Sequence, residues 1–263
     1  MDTVVFIPAR YASSRFPGKP LQTLRGPDGE KSLVQRSWEA AIAAKGVDAV
    51  YVATDDARIA DASRAFGADV VMTAESCANG TERCADALQR LDIEPRIVVN
   101  LQGDAPLTPP HFVEALVEAM ASATSDEAAV ATPVLACDQH TYDNFIEDRR
   151  SGRVGGTTAI FDGMHRALYF SKEVVPYKAV GTFDPESPDV FHHVGLYAYT
   201  PAALRAYMQA KTGPLETTEG LEQLRFLENG VPIICVEVPA GDHMFWELNN
   251  PEDVARIEAI LNR

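Results

Sequence analysis

Three cations, Arg10, Arg15 and Lys19, lie within ten residues near the N-terminus. They belong to the segment 8–21, whose small residues and Gly18 allow its backbone to approach a ligand closely. A loop this long between a strand and a helix is unusual unless it is functional. The segment matches neither the dinucleotide-binding nor the Walker glycine pattern. Cationic side chains bind phosphate oxygens, so the sequence predicts a loop that binds a polyanion, most simply a triphosphate.

A second candidate group is Gln102-Gly103-Asp104, which directly follows a predicted buried strand. An Asp that follows Gly at the end of such a strand fits a magnesium ligand facing phosphates. Parallel sheets bind ligands at the carboxyl ends of their strands, where the cationic loop also begins. We therefore expect Asp104 and the cationic loop to serve one site.

Two segments combine a structural signal with a candidate ligand role. Asn79 and Glu82 have the spacing of a capping box, and the helix that they begin would also present N–H groups. Asp55 and Asp56 follow another predicted strand. For these two acids, capping a helix that starts near Ala57 is favoured over ligand contact.

The elements that position these groups alternate between strand and helix in the first half of the chain. Short continuous apolar runs predict buried strands at 4–7, 50–53, 97–101 and 129–132. Apolar residues at helical spacing predict helices over 34–42, 84–91 and 112–120. This alternation indicates βαβ units and a mostly parallel sheet.

The second half of the chain has a different pattern. Strands are predicted near 157–161, 167–171, 194–199 and 233–238, with helices near 201–209 and 219–229 and a proline-containing loop over 174–191. A last helix is expected to begin with Asn250 as its N-cap and Pro251 at its first position. The sequence thus predicts one α/β domain over 1–263, in which about 150–200 forms an antiparallel insertion.

Composition excludes several classes of protein. The 263 residues carry 23 basic and 38 acidic side chains, a net charge of −15, which disfavours general binding to nucleic acid or to anionic membranes. No apolar stretch has the roughly 18 residues that a membrane helix needs, and the N-terminus does not resemble a signal peptide. Cys77, Cys84, Cys137 and Cys235 show no CxxC spacing, so we expect reduced, buried thiols in a cytoplasmic protein.

Ordered motifs along nearly the whole chain carry a resemblance to a known family. The run Ile7-Pro8-Ala9-Arg10-Tyr11-Ala12-Ser13-Ser14-Arg15, continued by Pro17-Gly18-Lys19-Pro20-Leu21, resembles the signature of 3-deoxy-manno-octulosonate (Kdo) cytidylyltransferases, or CMP-Kdo synthetases. Further matches follow in family order; they are Val52–Asp55, Asn79–Arg83, Gln102–Asp104, Ala167–Ser171, His193–Tyr197, Leu221–Arg225 and Asn250–Asp253. The resemblance implies a nucleotidyltransferase fold, a Rossmann-like three-layer sandwich with a mixed, mostly parallel sheet.

The resemblance also implies a reaction and a set of site residues. CTP and a 2-keto-3-deoxy sugar acid, most simply Kdo, would give the CMP-sugar and pyrophosphate with Mg²⁺, for lipopolysaccharide-type glycan synthesis. By family position, Arg10, Lys19 and Asp104 would act in catalysis. The nucleotide would be bound by Arg10, Arg15, Lys19, Thr81, Arg83 and Gln102, and the sugar acid by Gln102, His193, Tyr197, Glu222 and Gln223. Asp104 and Asn249 would occupy the metal-ligand positions, and the family implies a homodimer.

Three positions depart from the family pattern. Ala105 stands where the family has an acid, Asn249 where it has an Asp metal ligand, and Thr158 where it has a basic residue. An amide oxygen is a weaker Mg²⁺ ligand than a carboxylate, and Glu247 is an alternative donor. These departures leave two alternatives open: a cytidylyltransferase for another acid, such as an amino-substituted Kdo, a nonulosonate-like sugar or a phosphonate, or a CTP-binding homologue without catalysis. A glycosyltransferase would need an Asp-x-Asp motif, which Gln102-Gly103-Asp104 does not supply.

Overall fold

The computed structural model describes residues 1–12, 16–103, 106–123, 129–153, 156–240, 248 and 253–262. The strands are β1 (Thr3–Ala9), β2 (Thr23–Gly26), β3 (Gly29–Ser32), β4 (Ala49–Thr54), β5 (Asp69–Met72), β6 (Ile97–Leu101), β7 (Val130–Ala136), β8 (Thr157–Phe161), β9 (Ala167–Ser171), β10 (Phe191–His193), β11 (Leu196–Tyr199) and β12 (Ile233–Glu237). The helices are α1 (Leu33–Ala43), α2 (Ala57–Ala65), α3 (Gly80–Leu91), α4 (Pro110–Ser122), α5 (Gln139–Arg150), α6 (Pro201–Gln209), α7 (Pro214–Glu219), α8 (Leu224–Glu228) and α9 (Asp253–Leu261), and a 3-10 helix spans Lys19–Leu21.

Within these described ranges, ten strands form one mixed sheet, and β2 and β3 form a separate hairpin. One half of the sheet is parallel, because β1 pairs in the same direction with β4 and β6, and β4 pairs likewise with β5. The carboxyl ends of β1, β4 and β6 therefore meet at one edge, where the predicted ligand site was expected.

The other half of the sheet contains the antiparallel strands. Strand β11 lies between β6 and β7 and runs antiparallel to both, while β12 pairs with β7 in parallel. Strands β10, β8 and β9 continue the sheet as an antiparallel series. The predicted fold class, a mostly parallel sheet with an antiparallel insertion, is confirmed.

Helices cover both faces of this sheet, which gives three layers. Successive residues of β1 point to opposite faces: Val5 and Ile7 pack with α1 and α4 in one core, and Val4 and Phe6 pack with α3 and α6 in the other. These four side chains have no exposed area. The continuous apolar run that predicted β1 thus reflects burial on both faces. All four cysteines are free and buried, as expected.

The structure corrects two boundaries predicted from sequence. The strand expected over 194–199 begins only at Leu196, as β11, and the preceding strand β10 (Phe191–His193) lies at the end of the segment expected to be a loop. The helix expected over 219–229 is shorter: Glu219 is the last residue of α7, which Gly220 ends in a left-handed conformation, φ 64°, and α8 begins only at Leu224. The hairpin β2–β3, strands β5 and β10 and helices α5 and α7 were not predicted. The expected N-cap of the last helix, Asn250, lies outside the described residues, although α9 itself is present.

No helix in the described part of the chain is long and apolar enough to cross a membrane.

Candidate functional site

The segment that follows β1, residues 10–19, is here called the β1 loop; its described parts, 10–12 and 16–19, are joined by a backbone hydrogen bond. The Gly18 N–H donates to the Tyr11 carbonyl at 2.9 Å, and Gly18 adopts φ 72°, which favours glycine. Lys19, the next residue, donates from Nζ to the Leu248 carbonyl at 3.0 Å. Arg10, immediately before Tyr11, is exposed and its guanidinium lies 3.5 Å from the Ala78 carbonyl. Arg15, the third predicted cation, lies outside the described residues.

The Ala78 contact brings Arg10 to the start of α3. Asn79 caps the helix as predicted, since its Oδ1 accepts from the Glu82 N–H at 2.9 Å, while Glu82 Oε2 accepts from the N–H of Ala78, one residue before the N-cap, at 2.8 Å, a close variant of the capping box. The N–H of Thr81 is also bonded, to Glu222 Oε2 at 3.2 Å. The Thr81 and Glu82 amides at the start of α3 thus donate to protein acceptors. The sequence had suggested that the helix start would present free N–H groups to a ligand, and these two amides do not.

Glu222 joins the predicted nucleotide and sugar-acid residues. Its second carboxylate oxygen, Oε1, accepts from Gln102 Nε2 at 3.2 Å. Burial raises the pKa of Glu222, while the hydrogen bonds from Thr81 and Gln102 oppose that shift. Gly80 packs closely against this junction, because a Cβ there would lie 3.0 Å from Gln102 Nε2 and 3.2 Å from Asn100 Nδ2.

Polar aromatic side chains extend the site along β11. The Tyr199 hydroxyl lies 2.9 Å from Thr81 Oγ1 and accepts from Asn100 Nδ2 at 3.2 Å. Tyr197 donates to Gln223 Oε1 at 3.2 Å. Tyr199 and Asn100 were not identified from sequence; the signal available was an Asn at a position of β6 that is buried on both sides.

His193 completes the predicted sugar-acid group. Its ring lies 5.6 Å from the ring of Tyr197, and it is 5% exposed. Burial, together with the neighbouring His192, lowers the pKa of His193 to about 3, so the imidazole is neutral. The buried atoms His193 Nε2, Gln223 Nε2 and Asn100 Oδ1 have no hydrogen-bond partner among the described residues. Buried polar atoms are normally paired, so these atoms are available to a polar ligand.

Arg83 has a different environment from the other predicted nucleotide residues. It is buried, and its guanidinium contacts Thr73 Oγ1 at 2.5 Å and Asp55 Oδ2 at 3.4 Å. These contacts tie α3 to the ends of β4 and β5. Asp56, as expected, caps α2 by accepting from the Arg58 N–H. The described contacts of Arg83 are thus with Asp55 and Thr73, which follow β4 and β5, and not with Glu222 or Gln102.

The two expected metal ligands, Asp104 and Asn249, lie outside the described residues, as do Ala105 and Glu247. Their immediate neighbours, Gly103 and Leu248, are described. A Cβ on Gly103 would lie 3.2 Å from the Pro8 carbonyl, and Leu248 accepts the Lys19 hydrogen bond. Both described neighbours therefore lie against β1 or the β1 loop. In the described part of the chain, no group of three or more His, Cys, Asp or Glu side chains could hold a metal ion.

Thr158, at the position where a basic residue was expected, is an internal residue of β8. It is 1% exposed, its hydroxyl donates to the Glu173 carbonyl at 2.7 Å, and it accepts from the Val175 N–H at 3.3 Å. The hydroxyl is therefore used to hold the segment after β9, and this position adds no charge to the site.

Arg225 holds the segment that carries Glu222 and Gln223. It forms two hydrogen bonds of 2.7 Å with Glu216 and one of 3.1 Å with Glu82, which links α8 to the start of α3. Its guanidinium carbon also lies 4.0 Å from the centre of the Tyr207 ring. Sequence reasoning gave Arg225 no role, although its charge within an otherwise apolar run, Leu224–Leu227, is a recognisable signal.

Known proteins are similar to this chain over nearly its whole length. The cytidylyltransferase family model matches residues 4–233. A 3-deoxy-manno-octulosonate cytidylyltransferase from Maricaulis maris is 41% identical over 261 residues, which are 99% of this chain and 97% of that protein. An 8-amino-3,8-dideoxy-manno-octulosonate cytidylyltransferase from Shewanella pealeana is 39% identical over 264 residues, with 99% of each covered.

A solved structure of CMP:2-keto-3-deoxy-manno-octonic acid synthetase complexed with CTP superposes with a TM-score of 0.82 and 32% identity, covering 99% of this chain and 98% of the other. A cytidylyltransferase from Leptospira borgpetersenii shares the fold, with a TM-score of 0.59 at 17% identity, 98% of this chain and 86% of that one being covered. On the family match and these full-length relatives, the chain belongs to the 3-deoxy-manno-octulosonate cytidylyltransferase family.

Proposed function

We propose that this protein transfers CMP from CTP to a 2-keto-3-deoxy sugar acid, most simply Kdo, and releases pyrophosphate. Membership of the family makes it a CTP-dependent nucleotidyltransferase. The observation that carries the proposal is the junction at Glu222, whose two carboxylate oxygens accept hydrogen bonds from Thr81 and Gln102. It connects the start of α3, which Arg10 of the β1 loop approaches, with Gln102 after β6, and Thr81 Oγ1 in turn contacts the Tyr199 hydroxyl on β11.

In the proposed reaction, the anomeric hydroxyl oxygen of the sugar acid attacks the α-phosphorus of CTP. The bond from that phosphorus to the bridging oxygen breaks, pyrophosphate leaves with the bond's electron pair, and the hydroxyl proton passes to solvent. Such a transfer depends mainly on alignment and charge neutralisation. Arg10, Arg15 and Lys19 would hold the triphosphate, and Thr81, Arg83 and Gln102 would help to seat the nucleotide.

The proposed metal is Mg²⁺, with Asp104 and Asn249 as its protein ligands. A carboxylate and an amide oxygen are hard oxygen donors that suit this ion, and the described neighbours of both residues lie against β1 or the β1 loop. Bound there, Mg²⁺ would neutralise phosphate charge. Asp104→Ala should abolish transfer, and far-ultraviolet circular dichroism and the unfolding midpoint, which we expect to stay unchanged, separate a lost ligand from a lost fold.

The sugar acid would be bound by Gln102, His193, Tyr197, Glu222 and Gln223. The unpaired Nε2 atoms of Gln223 and His193 support this assignment, because a polyol carboxylate offers both donors and acceptors. Since His193 is neutral and Thr158 carries no charge, neither residue would offer the acid a positive charge.

An amino-substituted acceptor is the second candidate. Thr158 replaces the basic residue of the family pattern with a buried hydroxyl, which removes a repulsive positive charge for an acceptor that carries an ammonium group. The Shewanella relative is named for an 8-amino acid.

The deciding experiment measures pyrophosphate release with CTP and Mg²⁺ against Kdo, its 8-amino analogue, a nonulosonate and a phosphonate. Release with Kdo at the highest kcat/KM supports the proposal. A preference for the 8-amino analogue would keep the chemistry and change the acceptor. Calorimetric CTP binding without release for any acceptor would instead identify a non-catalytic homologue.

We further propose a single domain over 1–263 whose region of about 150–200 forms an insertion that pairs two copies into a homodimer. Met164, Leu168, Tyr177 and Val180 all belong to this region and are 61–96% exposed, and β9 is a sheet-edge strand within the described order. Leu168→Glu should convert a dimer to a monomer in light scattering, whereas a monomeric wild type would reject the assignment. The proposed compartment is the cytoplasm, where four free thiols remain reduced.

A further inference from the structure

The Tyr11 ring in the β1 loop contacts an arginine from a different element. The Cζ atom of Arg58, on α2, lies 3.3 Å from the centre of the Tyr11 ring. This is well within the range of a cation–π interaction. Arg58 is not one of the cations that the sequence pointed to, and no role in the reaction follows from its position in the chain.

The Arg58 guanidinium is fixed in place by the residue that caps its own helix. Arg58 Nε donates to Asp56 Oδ1 at 3.0 Å and Nη2 donates to Asp56 Oδ2 at 2.6 Å, while the Arg58 backbone N–H donates to the same Oδ1 at 2.9 Å. The pKa of Asp56 is lowered chiefly by the Arg58 side-chain hydrogen bond, so its carboxylate stays charged. The start of α2 therefore presents a rigidly oriented guanidinium to Tyr11.

Tyr11 in turn contacts the closing residue of the loop. A Cβ on Gly18 would lie 3.0–3.2 Å from Cε2, Cζ and the hydroxyl of Tyr11, so Gly18 lies directly against the ring. The two residues are also joined by the hydrogen bond from the Gly18 N–H to the Tyr11 carbonyl. Arg10 directly precedes Tyr11 and Lys19 directly follows Gly18, so this contact sets the separation of the two cations.

We propose that Arg58 is a positioning residue: by stacking on Tyr11, it holds the Tyr11–Gly18 closure and so places Arg10 and Lys19 for the triphosphate. That the loop binds CTP rests on the proposed function, whereas the closure itself does not. Arg58 acts here through Tyr11 and does not touch the nucleotide.

The test compares Arg58→Ala, Tyr11→Leu and the double variant with the wild type. Hydrogen–deuterium exchange of the peptide containing Gly18 measures the closure, and calorimetry with CTP and Mg²⁺ measures affinity. An exposed cation–π contact corresponds to a change of about two- to fivefold, which we expect in both readouts for Arg58→Ala. In the Tyr11→Leu background, Arg58→Ala should have no further effect.

The chain offers a matched control in Arg64. It lies on the same helix, is similarly exposed (54% against 60%) and forms a comparable ion pair, with Asp61. Arg64→Ala should leave exchange and CTP affinity unchanged. If Tyr11→Leu fails to fold, Tyr11→Phe replaces it, and the Arg58→Ala effect should then persist because the ring is retained.

Three results have distinct meanings. If Arg58→Ala behaves like Arg64→Ala in both readouts, the positioning role is refuted. If Arg58→Ala weakens CTP binding with unchanged exchange and no dependence on Tyr11, Arg58 binds phosphate directly and the inference is again wrong. If the wild type binds no CTP but Arg58→Ala still speeds exchange of the Gly18 peptide, the role of Arg58 in holding the Tyr11–Gly18 contact is supported and the proposed function fails.

Discussion

Replacing Arg225 should destabilise the protein strongly, because its guanidinium is buried between two carboxylates. Its side chain is 7% exposed, and its partners Glu216 and Glu82 are 9% and 17% exposed. Arg225→Met leaves both carboxylates without their shared cation in a poorly hydrated place. Breaking a buried pair by removing one partner typically costs about 3–5 kcal/mol, and the exposure of Glu82 places the expectation near 3 kcal/mol.

Urea denaturation followed by circular dichroism at pH 7 measures this loss. Arg153→Met is the matched control, because Arg153 makes two hydrogen bonds to Asp148 but is 62% exposed, and it should cost less than about 1 kcal/mol. Adding Glu216→Gln to Arg225→Met should recover part of the loss, because the second change removes a buried charge. A loss for Arg225→Met as small as that for Arg153→Met would refute the reasoning that this network is buried and holds α8 to α3.

Three further predictions concern titration and phosphate binding. Burial lowers the pKa values of His192 and His193 to about 4 and about 3, so both rings stay neutral in the folded state at pH values where the unfolded chain protonates them. The unfolding free energy should therefore fall as the pH drops below 6.5, with a slope for each histidine that approaches about 1.4 kcal/mol per pH unit near pH 5. A His193→Gln variant should show a shallower slope in urea titrations at several pH values. Burial raises the pKa of Glu222, so the ionised form of this side chain destabilises the folded state above the ordinary pKa of 4.5. The wild type should therefore lose unfolding free energy relative to Glu222→Gln as the pH rises from about 4 to about 7. Parallel stability curves for the two proteins would contradict the burial of that carboxyl. Lys19→Ala removes a charged donor from the β1 loop and should weaken CTP binding in calorimetry by about tenfold to a hundredfold. Lys45→Ala removes an exposed lysine outside the loop and should leave CTP affinity unchanged. Equal affinities for the two variants would refute the phosphate-binding role of Lys19.

Local patterns predicted the elements whose burial or capping is encoded within a few residues. The apolar run of β1 and the capping box of Asn79 and Glu82 required no information from distant segments. The predicted helix Pro201–Gln209 has the observed bounds because Thr200 caps it and Pro201 occupies its first position. In each case the deciding interaction is short-range, so the sequence carries it directly.

Long-range pairing could not be predicted in the same way. Nothing near Leu196–Tyr199 specifies that β11 lies between β6 and β7, since that placement depends on pairing with residues about 65 to 100 positions away. The division between α7 and α8 depends on one glycine conformation. Both features matter, because β11 supplies Tyr197 and Tyr199 and the break after α7 presents Glu222.

The site residues divide along the same line. The cations of the β1 loop were identified by charge and spacing alone, whereas Glu222 and Gln223 have the pattern of a solvated helix face and were identified through the family resemblance. Arg225 and Arg58 were missed, because each acts through partners far away in sequence or through a stacking contact that no spacing rule encodes.

Transfer of the α-phosphate is the most direct test of the central claim. CTP labelled at the α-phosphorus is mixed with Kdo, Mg²⁺ and the protein, and the products are separated. We expect the label in a CMP-sugar, with one unlabelled pyrophosphate formed per sugar product. Label that remains in CTP, or appears only in free CMP, with both Kdo and its 8-amino analogue would contradict the account.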